Sequence, residues 1–236
     1  MQQNLEILLH FFLILIQTNT KMSFYWIKTH SLIKKLFSHY IWDLPNTENK
    51  VYLTFDDGPT PEITEWVMEQ LDLYNAKATF FCIGKNIEAH RSIFEKLIQK
   101  KHAIGNHTFN HLNGWQTSSD DYSANVSLCA NSIKNHTIGT SNSASKLFRP
   151  PYGKIKSIQA KKLKNKGYKI IMWDVLSADF DQTITKERCL KNVTSNIKPG
   201  SIIVFHDSVK AFKNLEYTLP KVLDYLDKNN FRCEVI

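Results

Sequence analysis

Cysteine is scarce, with four residues in 236. Cys82, Cys129, Cys189 and Cys233 lie far apart, form no CxxC pair and fall in apolar or helical stretches, where a free thiol behaves as a small buried hydrophobe. They read as structural and do not report an oxidising compartment. A span-length apolar run is also missing. The longest candidate, Leu5 to Ile16, is interrupted by Glu6 and His10, matches a signal-peptide apolar region in length, and is too short to cross a bilayer comfortably. No Lys or Arg precedes it, and no clean small-x-small cleavage site follows before Lys21. Three readings stay open: Met22 as the natural start, an uncleaved anchor giving membrane association through the N-terminus, or a signal peptide. The first two imply a cytoplasmic or membrane-associated protein, the third a cell-envelope or secreted one. Acidic residues are outnumbered, 22 against 30 Lys and Arg, for a net charge of +8. Such a charge suits nucleic acid, an anionic membrane or an anionic polymer, but it bears on association rather than chemistry. The basic residues are spread over many segments, Lys34 and Lys35 in one and Lys161, Lys162, Lys164 and Lys166 in another. That is the pattern of a solvated surface, and nucleic acid is not an expected partner.

What is present is enough apolar residue, 42%, to bury one sizeable core. Residues 1–50 form an apolar and basic N-terminal segment, and residues 51–236 one domain. From Val51 onward, β-branched or aromatic runs alternate with amphipathic stretches of helical length, as in βα units around a parallel sheet. Strands are expected at Val51–Phe55, Lys77–Ile83, Ala103–His107, Leu147–Phe148, Tyr168–Asp174, Ser201–Phe205 and Phe231–Ile236. Helices are expected after Thr60 (N-cap) and Pro61, over Ile87–Lys101, along the Tyr122–Ile133 stripe, over Ser157–Lys166 and Lys186–Ile197, and around Leu215–Leu226. The Ser/Thr/Asn-rich stretch from Thr137 to Ser145 reads as a surface loop. About seven strands point to a closed or nearly closed βα barrel, with an open doubly wound sheet as the alternative.

In such a barrel the βα loops meet on one face, where chemistry gathers. Five strand ends carry residues capable of it. Asp56 and Asp57 follow the first strand, and His107 closes the third. Arg149 follows Leu147-Phe148, Asp174 and Asp179 follow Tyr168–Trp173, and His206 follows Phe205. The adjacent carboxylates in Asp56-Asp57-Gly58-Pro59 leave the strand in different directions, so one can bind a metal while the other stays free as a base. His107 and His111 are four apart, a spacing that one helical turn brings to one side and that suits two ligands on one Zn²⁺. Adding Asp57 gives a two-histidine, one-carboxylate set that leaves a coordination position for water. His90, His102 and His136 read as ordinary core or surface residues. Arg149, stiffened by Pro150 and Pro151, is no freely solvated side chain. His206 as a general acid needs a carboxylate to hold its ring, and Asp179 or Asp174 can supply it.

TFDDGP (Thr54–Pro59), HTFNH (His107–His111), RPPYG (Arg149–Gly153), WDVLSADF (Trp173–Phe180) and IIVFHD (Ile202–Asp207) occur in an order and at spacings that resemble the polysaccharide deacetylases of the NodB-homology type, carbohydrate esterase family 4. The resemblance covers Val51 to the C-terminus. It implies a distorted (β/α)7 barrel and a divalent metal site, for Zn²⁺ or Co²⁺, held by Asp57, His107 and His111. It further implies Asp56 as catalytic base, His206 as acid, Asp179 as partner of the acid, Arg149 as the residue orienting the base, and the Tyr152 backbone N–H as oxyanion donor. The expected activity is removal of N-acetyl groups from amino-sugar polymers or oligomers. Alternatives are an O-acetyl esterase on acetylated polysaccharide, hydrolysis of a cyclic amide, and a non-catalytic carbohydrate-binding module. Phe180 stands where the family often has Trp, which keeps an apolar wall but loses an indole N–H.

Overall fold

The computed structural model describes residues 25–137 and 146–236. Leu5–Ile16 and residues 138–145 of the polar loop lie outside them. Among the described residues no helix is long and apolar enough to cross a membrane.

The centre of the sheet is strand β1 (Lys50–Asp56), in which Val51, Leu53, Phe55 and Thr54 are all fully buried. Burial on both faces is what a strand flanked by parallel neighbours requires. The others are β2 (Ala78–Cys82), β3 (Ala103–Asn106), β4 (Leu147–Phe148), β5 (Lys169–Ile170), β6 (Val175–Leu176), β7 (Ile202–His206) and β8 (Arg232–Cys233). They pair in the order β5-β4-β3-β2-β1-β7-β6, every ladder parallel, and β8 adds to the start of β1. Phe55 stacks against Phe80 on one neighbouring strand and Phe205 on the other, with ring centroids 5.0 and 5.8 Å away. Among the described residues eight helices surround the sheet: α1 (Ser31–Leu36), α2 (Ile63–Leu73), α3 (Gly84–Ala89), α4 (Arg91–Gln99), α5 (Ser119–Thr137), α6 (Ser157–Asn165), α7 (Lys186–Thr194) and α8 (Val209–Lys228). The largest, α8, buries Leu215, Leu219, Val222 and Leu226 at helical spacing. The result is the curled parallel sheet of a distorted (β/α)7 barrel.

The two ends of the ladder, β5 and β6, are bridged by residues 25–44 of the N-terminal segment. Ile41 N–H donates to Ile170 O at 2.9 Å and Ile41 O accepts from Met172 N–H at 2.7 Å, while Leu176 N–H donates to Ile27 O at 2.8 Å. Below this seam Asp174 is fully buried and bonded to Lys28 Nζ at 2.5 Å, to Lys34 Nζ and to Ser201 Oγ at 2.6 Å. Burial alone would raise its carboxyl, but the two ammonium groups and the hydroxyl hold it below the usual carboxylate range. The N-terminal segment therefore packs into the barrel wall from Tyr25 onward.

Three local expectations change. The run Tyr168–Asp174 holds only the two-residue strand β5, because Ile171 leaves the ladder to bridge Ile41, and the next strand, β6, begins past it at Val175. The helix expected over Ile87–Lys101 is broken at His90 into α3 and α4, so that Ile87 and the Ile93/Phe94/Leu97 stripe are buried on separate axes. The helix expected to start at Pro61 starts at Ile63. There the Thr64 hydroxyl accepts from Thr60 N–H at 2.7 Å and donates to the Asp207 carboxylate, which turns the first residues into a loop closure.

Candidate active site

Asp56 ends β1 and Asp57 leaves it at φ 85°. That left-handed conformation is costly for a residue with a Cβ, and it separates the two carboxylates. Asp56 turns inward to Arg149, while Asp57 faces the histidines. The Asp57 turn is clamped on three sides. Asn86 Nδ2 donates to Asp57 O at 2.7 Å, Ile83 N–H to Gly58 O at 3.0 Å, and Gly58 N–H to Asp207 Oδ1 at 3.1 Å. A Cβ on Gly58 would stand 2.0 Å from Asp207 Oδ2, so only glycine admits this approach.

His107 and His111 are brought together by a loop rather than the helical turn their spacing led us to expect. Thr108 and His111 both have positive φ, at 63° and 55°. Polar side chains replace helical hydrogen bonding: Asn106 Oδ1 accepts from Thr108 N–H, Asn125 Oδ1 from Phe109 and Asn110 N–H, and Thr108 Oγ1 from Leu112 N–H. The ring centroids lie 5.1 Å apart. His107 Nδ1 is 2.8 Å from Arg149 O. A carbonyl only accepts, so Nδ1 carries the proton and Nε2 keeps its lone pair. His111 Nδ1 likewise has the Tyr152 hydroxyl at 3.1 Å. The two Nε2 atoms face Asp57 Oδ1 at 3.8 and 3.3 Å, and all three ligand atoms fall within 4.8 Å of one another.

Asp57 Oδ1 is itself buried with no hydrogen-bond partner among the described residues, a cost that a cation would remove. Burial holds both imidazoles below their ordinary value, His111 down to about 4, so they are neutral ligands at physiological pH. Burial would raise Asp57, yet His206, His107 and His111 keep it below the usual carboxylate range. An orphaned buried oxygen beside two neutral imidazoles with aligned Nε2 atoms fits a divalent metal.

Residues 43–171 match the family model described as polysaccharide deacetylase. A peptidoglycan-N-acetylglucosamine deacetylase of Bacillus cereus is 35% identical over 169 residues, 72% of this chain and 60% of that protein. The chain belongs to the polysaccharide deacetylase family. A chitooligosaccharide deacetylase of Azorhizobium caulinodans is 34% identical over 70% of the chain and 76% of its own length. Among solved structures, a peptidoglycan N-acetylglucosamine deacetylase in complex with 4-naphthalen-1-yl-N-oxidanyl-benzamide superposes with a TM-score of 0.77 at 30% identity, covering 84% of this chain and 91% of that one. The family's deacetylases are metalloenzymes, and the Asp57/His107/His111 cluster is this member's candidate centre.

Around that centre this family member places the other sequence-selected residues. Arg149 is fully buried and held by four acceptors. Its Nη1 donates to Asp56 Oδ1 and Thr54 Oγ1, both at 2.7 Å, Nη2 to Met172 O at 2.9 Å and Nε to Ile171 O at 3.3 Å. The guanidinium also lies 4.2 Å from the Phe81 ring centre, so its position is fixed by the barrel interior. Tyr152, at φ 59° in the turn Pro151–Gly153, exposes its side chain beside His111, with ring centroids 4.6 Å apart. His206 ends β7 in register with Asp56. Its carboxylate partner is Asp179, at 2.7 Å from Nδ1. Asp174, the other candidate, is taken by Lys28 and Lys34 below the seam and does not reach His206. Burial would lower the His206 imidazole, but Asp179, with Asp57 and Asp56 nearby, pushes it up to about 9. Phe180 packs edge-on against His206 and Tyr25 edge-on against Phe180, at 5.1 and 5.4 Å.

Asp207 had no role in the sequence reading beyond its motif. It accepts from Gly58 N–H and the Thr64 hydroxyl at the back of the Asp57 turn, and burial pushes its carboxyl up to about 8. Asn86, Asn106 and Asn125 were also missed, since a side chain that caps a distant loop leaves no periodic signal.

Proposed function

We propose that this chain is a metal-dependent hydrolase that removes N-acetyl groups from amino-sugar polymers or oligomers, with Asp57, His107 and His111 as ligands of Zn²⁺ or Co²⁺. The observation that carries the reading is the orphaned Asp57 Oδ1 between two imidazole Nε2 atoms, with Asp56 and His206 at the ends of adjacent strands beside it. The names of the relatives support amino-sugar glycans as the substrate class.

A divalent cation at this centre supplies Lewis acidity, polarising an acetamide carbonyl and lowering the pKa of water toward ~7. Asp56, aimed by Arg149, takes the proton of the water that adds to the carbonyl. The Tyr152 backbone N–H donates to the oxyanion, a contact of a kind whose loss costs roughly 3–4 kcal/mol. His206, its Nδ1 held by Asp179, presents Nε2–H to the departing amine nitrogen and leaves a free amino sugar and acetate. Phe180 gives the acid an apolar wall. Localisation follows the N-terminus, and we propose a cytoplasmic or membrane-associated protein if translation starts at Met22 or the apolar segment is an anchor, and an envelope or secreted one otherwise.

The test is acetate release from chitooligosaccharides, peptidoglycan and acetylated xylan with Zn²⁺ or Co²⁺ supplied. Release from the first two and not the third is expected. Release from xylan alone would make the protein an O-acetyl esterase, and no release from any would refute the hydrolase.

A further inference from the structure

Trp115 lies four residues beyond His111, in the turn Gly114–Gln116, and is 51% exposed. A large ring left in water is normally free to move, but this one is fixed. Its indole N–H donates to Ile155 O at 3.3 Å and its backbone N–H to Asn113 Oδ1 at 3.1 Å. Gln159, 1% exposed, donates from Nε2 to Gly114 O at 2.9 Å and to Thr117 O at 3.3 Å, and Lys156 Nζ donates to Thr117 O at 2.8 Å. A Cβ on Gly114 would stand 2.5 Å from Lys154 O, so the turn is pressed onto the segment that follows Tyr152. Lys154 Nζ stands 5.4 Å from the Trp115 ring centre. Tyr152, in the same segment, is exposed and touches His111.

His111 also lines a cavity of about 390 Å³ together with Asp57, Asn86, His90, Ser208 and Val209. Trp115 and Lys154 are not part of that lining. The cavity and the Trp115 ring are therefore separate places reached from one loop, His107–Gln116. A rigid, half-exposed ring with an ammonium group over it, 5.4 Å from its centre, matches one ligand chemistry well. A pyranose offers a face of axial C–H groups for the ring and equatorial hydroxyls for the cation. Aromatic side chains presented without rotamer freedom are the kind that anchor binding.

We infer that Trp115 and Lys154 form a second saccharide subsite, which stacks a pyranose ring of the glycan some residues away from the sugar being deacetylated. The inference rests on the amino-sugar reading above and adds to it a preference for longer chains.

Calorimetric titration of the Asp56→Asn enzyme with chitobiose and chitopentaose tests it with turnover suppressed. Trp115→Ala in that background should raise the chitopentaose Kd about tenfold, the scale of truncating an anchoring Trp, and the chitobiose Kd much less. Trp115→Tyr should retain most of the chitopentaose affinity, and Trp115→Leu, which keeps apolar volume without a stacking face, should behave like Ala even if Ala lowers the melting temperature. In the active enzyme the loss should fall on KM for chitopentaose rather than on kcat. Unaltered chitopentaose binding, or equal losses for both lengths, would overturn the subsite alone. A parent enzyme that neither binds nor deacetylates any N-acetylated glycan would overturn the amino-sugar reading, and the subsite with it.

Discussion

Asp179 holds His206 at two points: Oδ1 lies 2.7 Å from the ring Nδ1, and Oδ2 accepts the backbone N–H of the same residue at 2.7 Å. The double contact fixes both the ring tautomer and the end of β7, and it couples the proton on His206 to a carboxylate that is fully buried.

The pH profile follows from that pair. The folded-state pKa of His206 is raised from 6.5 to about 9, so the imidazolium is present below that value and lost above it. The rate kcat/KM should fall on the alkaline side near pH 9, and Asp179→Asn should move the limb to lower pH and lower the rate. The same sign governs stability: the contribution of the pair is full below pH 6.5 and disappears as pH rises through about 9. His206→Ala should cost amide hydrolysis far more than ester hydrolysis, because an alcohol leaves with less protonation. Equal losses on matched N-acetyl and O-acetyl substrates would exclude His206 as the acid.

Division of labour between the adjacent carboxylates is separable by metal analysis. Asp56→Asn should retain stoichiometric metal while turnover drops about 10²- to 10⁴-fold, the usual worth of a positioned base. Asp57→Asn should weaken metal binding. The reverse pattern would exchange the two roles.

Chelation should abolish activity, and Zn²⁺ or Co²⁺ should restore it. His107→Ala should lose the metal outright, since it removes one of three protein ligands. Full activity after metal removal verified by elemental analysis would refute the metal role.

Asp207 should matter without touching substrate. Asp207→Ala leaves Gly58 N–H and the Thr64 hydroxyl without their buried acceptor, a loss of about 1–3 kcal/mol in stability. It should also weaken metal affinity by loosening the Asp57 turn, whereas Asp207→Asn keeps an acceptor for Gly58 and should retain most of both. Denaturant titration and metal titration of the two variants check this, and metal affinity unaffected in both would make Asp207 purely structural.

If Met22 is the natural start, a chain beginning there should be soluble, folded and fully active. A chain beginning at Val51 loses the strand-like bridge at Ile41 and both lysines of Asp174. Leaving a buried carboxylate without its cations costs on the order of 3–5 kcal/mol, so this chain should melt far lower or fail to fold. Thermal denaturation of the two chains decides, and equal melting temperatures would show that the N-terminal segment is dispensable.

The residues of chemistry were readable from the sequence because each sits at or just past the end of an apolar run: Asp56 after Phe55, His107 two residues after Gly105, Arg149 after Phe148, His206 after Phe205. A parallel sheet brings such positions to one face whatever the loops do, and burial makes the runs continuous and therefore visible. Which partner each residue takes was decided only by the folded chain. Asp174 and Asp179 are five residues apart and equally plausible beside His206. The structure sends one below the seam to Lys28 and Lys34 and the other to the imidazole, because β6 lies between them. The loop that unites His107 and His111, the Asp207 clamp on Gly58 and the rigid setting of Trp115 depend on hydrogen bonds that include contacts between residues remote in the chain, Asn125 to Phe109, Asp207 to Gly58 and Gln159 to Gly114. Periodicity records which face of an element is buried. It carries no record of a side chain that satisfies a backbone N–H on another element, so those contacts exist only once the tertiary structure has brought donor and acceptor within hydrogen-bonding distance of each other.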